Sequence, residues 1–103
     1  MNERAAAPSV IDVPEEGRFV AELEGHTARL VYRTDLGRLI LVHTVVPPEL
    51  EGRGVGAALV RASIARAAEQ GLTVVPWCPF ARKWLRAHPD EAAGVTVDWT
   101  LPS

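Results

Sequence analysis

The run Glu51-Gly52-Arg53-Gly54-Val55-Gly56 places three glycines at alternate positions immediately before a stretch of helical periodicity. Glycines let the backbone curl tightly and bring its N–H groups close to a ligand. The helix start that follows offers unpaired N–H groups and the positive end of a dipole. Together they make an anion site suited to phosphate or pyrophosphate, to which Arg53 adds a charge from the loop. A plain tight turn that needs positive φ would use the same glycines, so the motif reads both ways. A P-loop requires a Lys followed by Ser or Thr after its last glycine, and the chain has no such pair here. A dinucleotide fingerprint needs a third glycine where this chain has Ala57, and a second nucleotide-binding half for which 103 residues leave no room.

Two further side chains have reactive chemistry in a suggestive place. Cys78 is the single cysteine and falls at the end of an apolar run, just before Pro79 opens a helix, where reactive groups gather in α/β folds. A lone cysteine also serves as a small core residue, and that alternative stays open. His43 sits within the most apolar segment and suits a base or a hydrogen-bonded core histidine. His26 and His88 read as turn and helix-end residues, and no His, Cys, Asp and Glu cluster has metal-ligand spacing. Arg82, Lys83 and Arg86 read as a solvated face; Trp77, Trp84 and Trp99 read as core or pocket wall.

The elements that must position these groups follow from periodicity. Residues 1–12 carry no amphipathic period and read as a flexible tail, leaving 13–103 as one domain. Phe19–Leu23 and Thr27–Arg33 alternate at period two, joined by a turn at 24–26, and a second turn covers 34–38. Leu39–Val46 is apolar on both faces, the mark of a central strand, and Pro47-Pro48 stops it. A helix runs from Gly54 to about Gln70, with Gly71 as its stop and Ala57, Val60, Ile64, Ala67 and Ala68 as its buried stripe. Residues 72–78 form the returning strand of a β-α-β unit. A second helix spans Phe80 to about His88, with Phe80, Trp84 and Leu85 inward, and 95–99 is a last strand. The expectation is a mixed, mostly antiparallel α/β domain in the order β-β-β-α-β-α-β.

Composition bounds the rest. A net charge of −2 gives no global attraction to nucleic acid or anionic membrane. No apolar run reaches the roughly 20 residues of a transmembrane helix. The first residues lack a signal-peptide pattern and one cysteine forms no internal disulfide, so the expectation is a cytoplasmic protein. Exposed edge strands leave monomer and homodimer both open.

The segment Val42–Val60, with its glycine turn, resembles the central strand and motif A of the GNAT acetyltransferase superfamily. His43-Thr44, then Pro76-x-Cys78-Pro79-Phe80, then His88-Pro89 come in the order seen in small single-domain GNAT-like proteins that lack the usual N-terminal helices. The resemblance covers roughly residues 15–100 and implies a minimal GNAT-like fold and an N-acetyltransferase. Its cofactor would be acetyl-CoA and its acceptor an unidentified amine, small or a protein lysine. It implies pyrophosphate on Gly52, Arg53, Gly54, Val55 and Gly56, with pantetheine beside Val45 and Val46. The family's tyrosine acid is missing, because the only tyrosine, Tyr32, lies on an early strand. Cys78 is the substitute, as an acid for the leaving thiolate or as an acyl carrier, with His43 as base. Glu51 departs from the Gln or Arg of the wider family, which favours the alternatives of a CoA-binding module without catalysis or a structural interaction domain.

Overall fold

The computed structural model describes residues 8–102. Four strands form an antiparallel meander: β1 (Ser9–Val13), β2 (Arg18–Leu23), β3 (His26–Asp35) and β4 (Arg38–Val45). α1 (Val55–Gln70) then crosses to β5 (Thr73–Pro76), which pairs parallel to β4, and α2 (Pro79–Ala87) follows. Spatial order equals chain order, β1-β2-β3-β4-β5, so β4 lies inside the sheet and β1 at its edge. The mixed, mostly antiparallel α/β architecture is the one the periodicity implies.

Alternation decides which face is buried. Phe19, Ala21 and Leu23 of β2 and Ala28, Leu30 and Tyr32 of β3 point to one side, where α1 packs. β4 has Leu39, Ile40 and Leu41 all buried, with Leu39 and Leu41 in the core under the helices and Ile40 on the other face. Val55, Leu59, Val60, Ile64 and Ala67 of α1 are buried against the core face, each large aliphatic contributing about 1.5–3 kcal/mol. Ala68 of the expected stripe is exposed, and Leu59 and Ser63 take places in it instead. Gly71 ends the helix at φ 67°, donating to Ala67 O, as a left-handed stop requires.

Two elements differ from the sequence reading at the chain ends. Residues 9–12, expected within a tail, belong to β1, whose Ser9–Val13 pair with Glu22–Arg18; the expectation for residues 1–7 lies outside the described residues. A short strand next to a turn has too few positions to show a period, and pairing with β2 settles it. Residues 95–99, expected as a strand, make one parallel bridge between Val97 and Val74 and no ladder. The element order is therefore β-β-β-β-α-β-α. On α2 the buried residues are Ala81, Trp84 and Leu85, while Phe80, expected inward, is 42% exposed.

Candidate functional site

The site is made by a strand that outlasts its neighbour. β5 pairs with β4 from Thr73 opposite Arg38 to Pro76 opposite Leu41, and there the ladder stops. Leu41 O accepts both Trp77 N–H at 3.0 Å and Cys78 N–H at 2.9 Å, which turns the chain away into α2. β4 continues four residues further, Val42–Val45, with nothing paired on that side.

At the same point β4 changes its alternation. Tyr32 pairs with Leu41 and Val31 with His43, so Val42 is an extra residue opposite no partner. A bulge of this kind re-aims every side chain beyond it. Unbulged, His43 would share the core face of Leu39 and Leu41. Bulged, His43 pairs with Val31 on the opposite face and is exposed, while Thr44 pairs with the fully buried Leu30. The option of a core histidine is thus overturned by a single inserted residue.

Thr44 opens onto a cavity of about 420 Å³ at the start of α1. Val46, Leu50 and Val55 form its apolar wall, Glu51, Gly52, Gly54, Gly56 and Ala57 the turn side, and Phe80 the far side. The turn adopts left-handed backbone at Gly52 (φ 76°) and Gly54 (φ 78°), where most side chains would be strained. Gly56 answers a different need: a Cβ there would lie 2.6 Å from the Phe80 ring. Along the turn Glu51, Arg53 and Ala58 N–H are bonded to backbone carbonyls, whereas Val55, Gly56 and Ala57 occupy the first turn of α1 and have no helical acceptor. Among the described residues no side chain caps the helix.

The expected cofactor-binding residues divide. Val46, Gly52, Gly54, Val55 and Gly56 line this cavity. Val45 does not; it pairs with Arg29 on β3. Arg53 does not either, because its guanidinium is held by Glu24 of the β2–β3 turn in two hydrogen bonds of 3.2 and 2.9 Å. That contact holds the Glu24 carboxyl below the usual carboxylate range and raises Arg53. Arg53 thereby ties the glycine turn to the neighbouring hairpin.

The two expected catalytic residues are not brought together. Cys78 is the N-cap of α2 and 2% exposed, behind the cavity wall, with its Sγ 3.0 Å from Thr44 Oγ1. His43, exposed on the other face of β4, stands on the far side of the strand. Thr44 is the cavity-facing member that sequence reasoning missed, since its orientation depends on the bulge. Phe80 was also missed as a wall; an aromatic in the first turn of a helix with a polar outer face was the available signal.

Two of the cationic residues of α2, Arg82 and Arg86, are engaged by the C-terminal segment. Arg82 donates to Trp99 O at 2.9 Å, and both Arg82 and Arg86 lie over the Trp99 ring, at 5.6 and 4.4 Å. They fasten the C-terminal segment to α2; of the expected solvated face, Lys83 and Arg86 are exposed and Arg82 is half-buried. His88 caps α2, with Nδ1 2.9 Å from Trp84 O and its ring stacked on Trp84.

A family model described as GCN5-related N-acetyl-transferase matches residues 18–95, from the start of β2 to beyond α2. No curated protein matches the chain.

Proposed function

The chain belongs to the GCN5-related N-acetyltransferase family, and we propose that it transfers the acetyl group of acetyl-CoA to an amine through the cavity at the head of α1. The observation that carries this reading is the junction of three features in one place: a strand gap beyond Leu41, the apolar cavity of about 420 Å³ and the unpaired amides of Val55 to Ala57. These fit an elongated ligand with an apolar arm and an anionic end. The unpaired amides of Val55, Gly56 and Ala57, at the end of the glycine turn, hold pyrophosphate. Val46 and Leu50 pack along the pantetheine arm. The cofactor, when bound, supplies an activated thioester.

The residues at the gap supply the remaining chemistry. The acceptor amine must be neutral and the departing sulfur must be stabilised. His43 stands exposed on the opposite face of β4, beside the strand gap beyond Leu41, and serves as the base for an amine that reaches the thioester through that gap. Thr44 and the thiol behind it stand on the cofactor side.

A second reading has a specific observation in its favour. Cys78, the substitute for the missing tyrosine acid, is buried and does not reach the cavity, as expected of a CoA-binding module without catalysis. Calorimetry with CoA and acetyl-CoA, followed by an assay of CoA release with a panel of amines, separates the two. Saturable binding with turnover supports the transferase; saturable binding without turnover supports the module. No binding at millimolar ligand overturns both.

A further inference from the structure

Thr44 and Cys78 form a pair in which only one partner meets the cavity. Thr44 lines it; Cys78, 2% exposed, lies behind, and Thr44 Oγ1 at 3.0 Å is the hydrogen-bond partner of its sulfur among the described residues. The direction of that bond decides what the cavity sees. A hydroxyl has one proton and two lone pairs, whereas a neutral thiol is a weak acceptor. Were Thr44 the donor, its proton would be spent on a poor acceptor and the buried thiol proton would have none. With the thiol as donor, both are placed: Cys78 gives its proton to a Thr44 lone pair and Thr44 keeps its own for the cavity.

We infer that Thr44 is the hydrogen-bond donor to the departing sulfur in acetyl transfer, and that Cys78 is a positioning residue that aims the Thr44 hydroxyl. The inference rests on the transfer reading above. His43 takes the proton that the amine gives up as its lone pair forms the C–N bond, and passes it to water. Thr44 donates to the sulfur while the C–S bond breaks and the electron pair stays on sulfur. Thr44 keeps its proton throughout, so CoA leaves as the thiolate and neither Thr44 nor Cys78 is left charged. The burial of Cys78 behind Thr44 runs against an acyl-cysteine route, because a nucleophile must reach the thioester carbon.

Because the chain has a single cysteine, its S–H stretching band in the infrared belongs to Cys78 alone and reads the bond without any cofactor. The expected result is a band lowered by hydrogen bonding in the wild type and moved to the free-thiol frequency in Thr44→Val. In kinetics, Thr44→Val lowers kcat about 100-fold, the usual cost of a lost donor to developing charge, with the acetyl-CoA KM within about threefold. Cys78→Ala lowers kcat about tenfold, as one neutral hydrogen bond implies. Thr44→Ser and Cys78→Ser, which keep a donor in place, hold the rate within about fivefold by the same measure. An S–H band that stays put in Thr44→Val overturns the pair. So does wild-type kcat in that variant, or one acetyl group on Cys78 in the intact mass after incubation with acetyl-CoA. A wild type that binds acetyl-CoA and never turns over removes the transfer reading and the Thr44 role with it, whereas turnover with an unaffected Thr44→Val removes the Thr44 role alone.

Discussion

At the N-terminal end of α1 the amides of Val55, Gly56 and Ala57 border a cavity and have no helical acceptor, and no side chain among the described residues caps them. Three turns further along, Arg66 is engaged through both Nε and Nη1. It donates to Asp12 Oδ2 at 3.0 Å, to Gln70 Oε1 at 3.0 Å and to the Tyr32 hydroxyl, which in turn donates to Asp12. Its guanidinium also lies 4.8 Å from the centre of the Tyr32 ring. Both regions have a pocket beside them, and both carry chemistry-bearing side chains. They differ in what is left over. At Arg66 the guanidinium, the carboxylate and the hydroxyl close on one another and clamp β1 and β3 onto the helix; at the start of α1 the first-turn amides stay open. Unspent hydrogen-bonding capacity in a concave place, not polarity as such, is what distinguishes a site from a brace.

The sharpest way to break that contrast is to fill the open end. Gly54→Asp places a carboxylate at the cavity's turn, where the amides of α1 otherwise await an anion. Nothing lies within 4 Å of a Cβ at Gly54, and Asp is among the residues that tolerate left-handed backbone and N-cap positions. The fold should survive with a melting temperature within a few degrees, while acetyl-CoA affinity falls about 100-fold or more in calorimetry. Undiminished affinity would move the pyrophosphate elsewhere.

The converse experiment opens the closed end. Arg66→Ala leaves Asp12 without its cation and with only the Tyr32 hydroxyl donating to it, at a pair whose side chains are only 16% and 30% exposed. Denaturant unfolding should show a loss of about 2 kcal/mol, below the cost of breaking a fully buried pair because water reaches Asp12. Acetyl-CoA affinity should stay within twofold. A large drop in affinity would mean that the brace and the site are one unit.

A subtler probe of the brace is pH. Burial first, and then the bond to Asp12, raise the Tyr32 hydroxyl to about 12, against an ordinary value of 10.0. Raising the folded value makes the protonated form the stabilising one. That stability is complete below pH 10, where the unfolded chain also keeps its proton, and is lost as pH climbs toward 12. The expected loss over that window is about 1–2 kcal/mol, less than the full linkage value of two units. Tyr32 is the only tyrosine, so tyrosinate absorbance follows it directly. Tyr32→Phe should be less stable at neutral pH and should lack this alkaline slope; an identical slope would assign it to another group.

The contrast also explains what could be read in advance. Alternation at 19–33, the two-faced apolar run at Leu39–Leu41 and the Gly71 stop are local signals, and the sheet and helix they imply are the ones present. The left-handed turn at Gly52 and Gly54 was legible because alternate glycines before a helix are a local signal, although the same glycines suit a plain turn. Thr44 was not, because its facing depends on the extra residue at Val42, and a bulge leaves no mark in a run where both faces are apolar. Asp12 and Arg66 stand 54 residues apart, so no periodicity connects them, and Arg66 looked like any outward-facing helix residue. Arg53 was legible as a charge near the turn but not as one already claimed by Glu24 across a different hairpin.

The smallest expected effect concerns the one side chain that opposes the open end. Glu51 is exposed and lines the cavity beside amides that favour an anion. A carboxylate several ångströms from a bound pyrophosphate in water-accessible surroundings costs well under 1 kcal/mol, and salt reduces it further. Glu51→Gln should therefore raise acetyl-CoA affinity about threefold at low ionic strength, and the gain should fade by 0.5 M salt, where screening operates within about 4–5 Å. The neighbouring Arg53 works in the same direction if released: Glu24→Gln removes its partner and frees the guanidinium to approach the ligand, adding a gain of similar size that is equally salt-sensitive. Two independent charge changes that each tighten binding, neither touching the amides, would place the anion at the turn from its surroundings. If Glu51→Gln weakens binding instead, the carboxylate is a ligand contact, and the turn recognises the cofactor through something other than its negative charge.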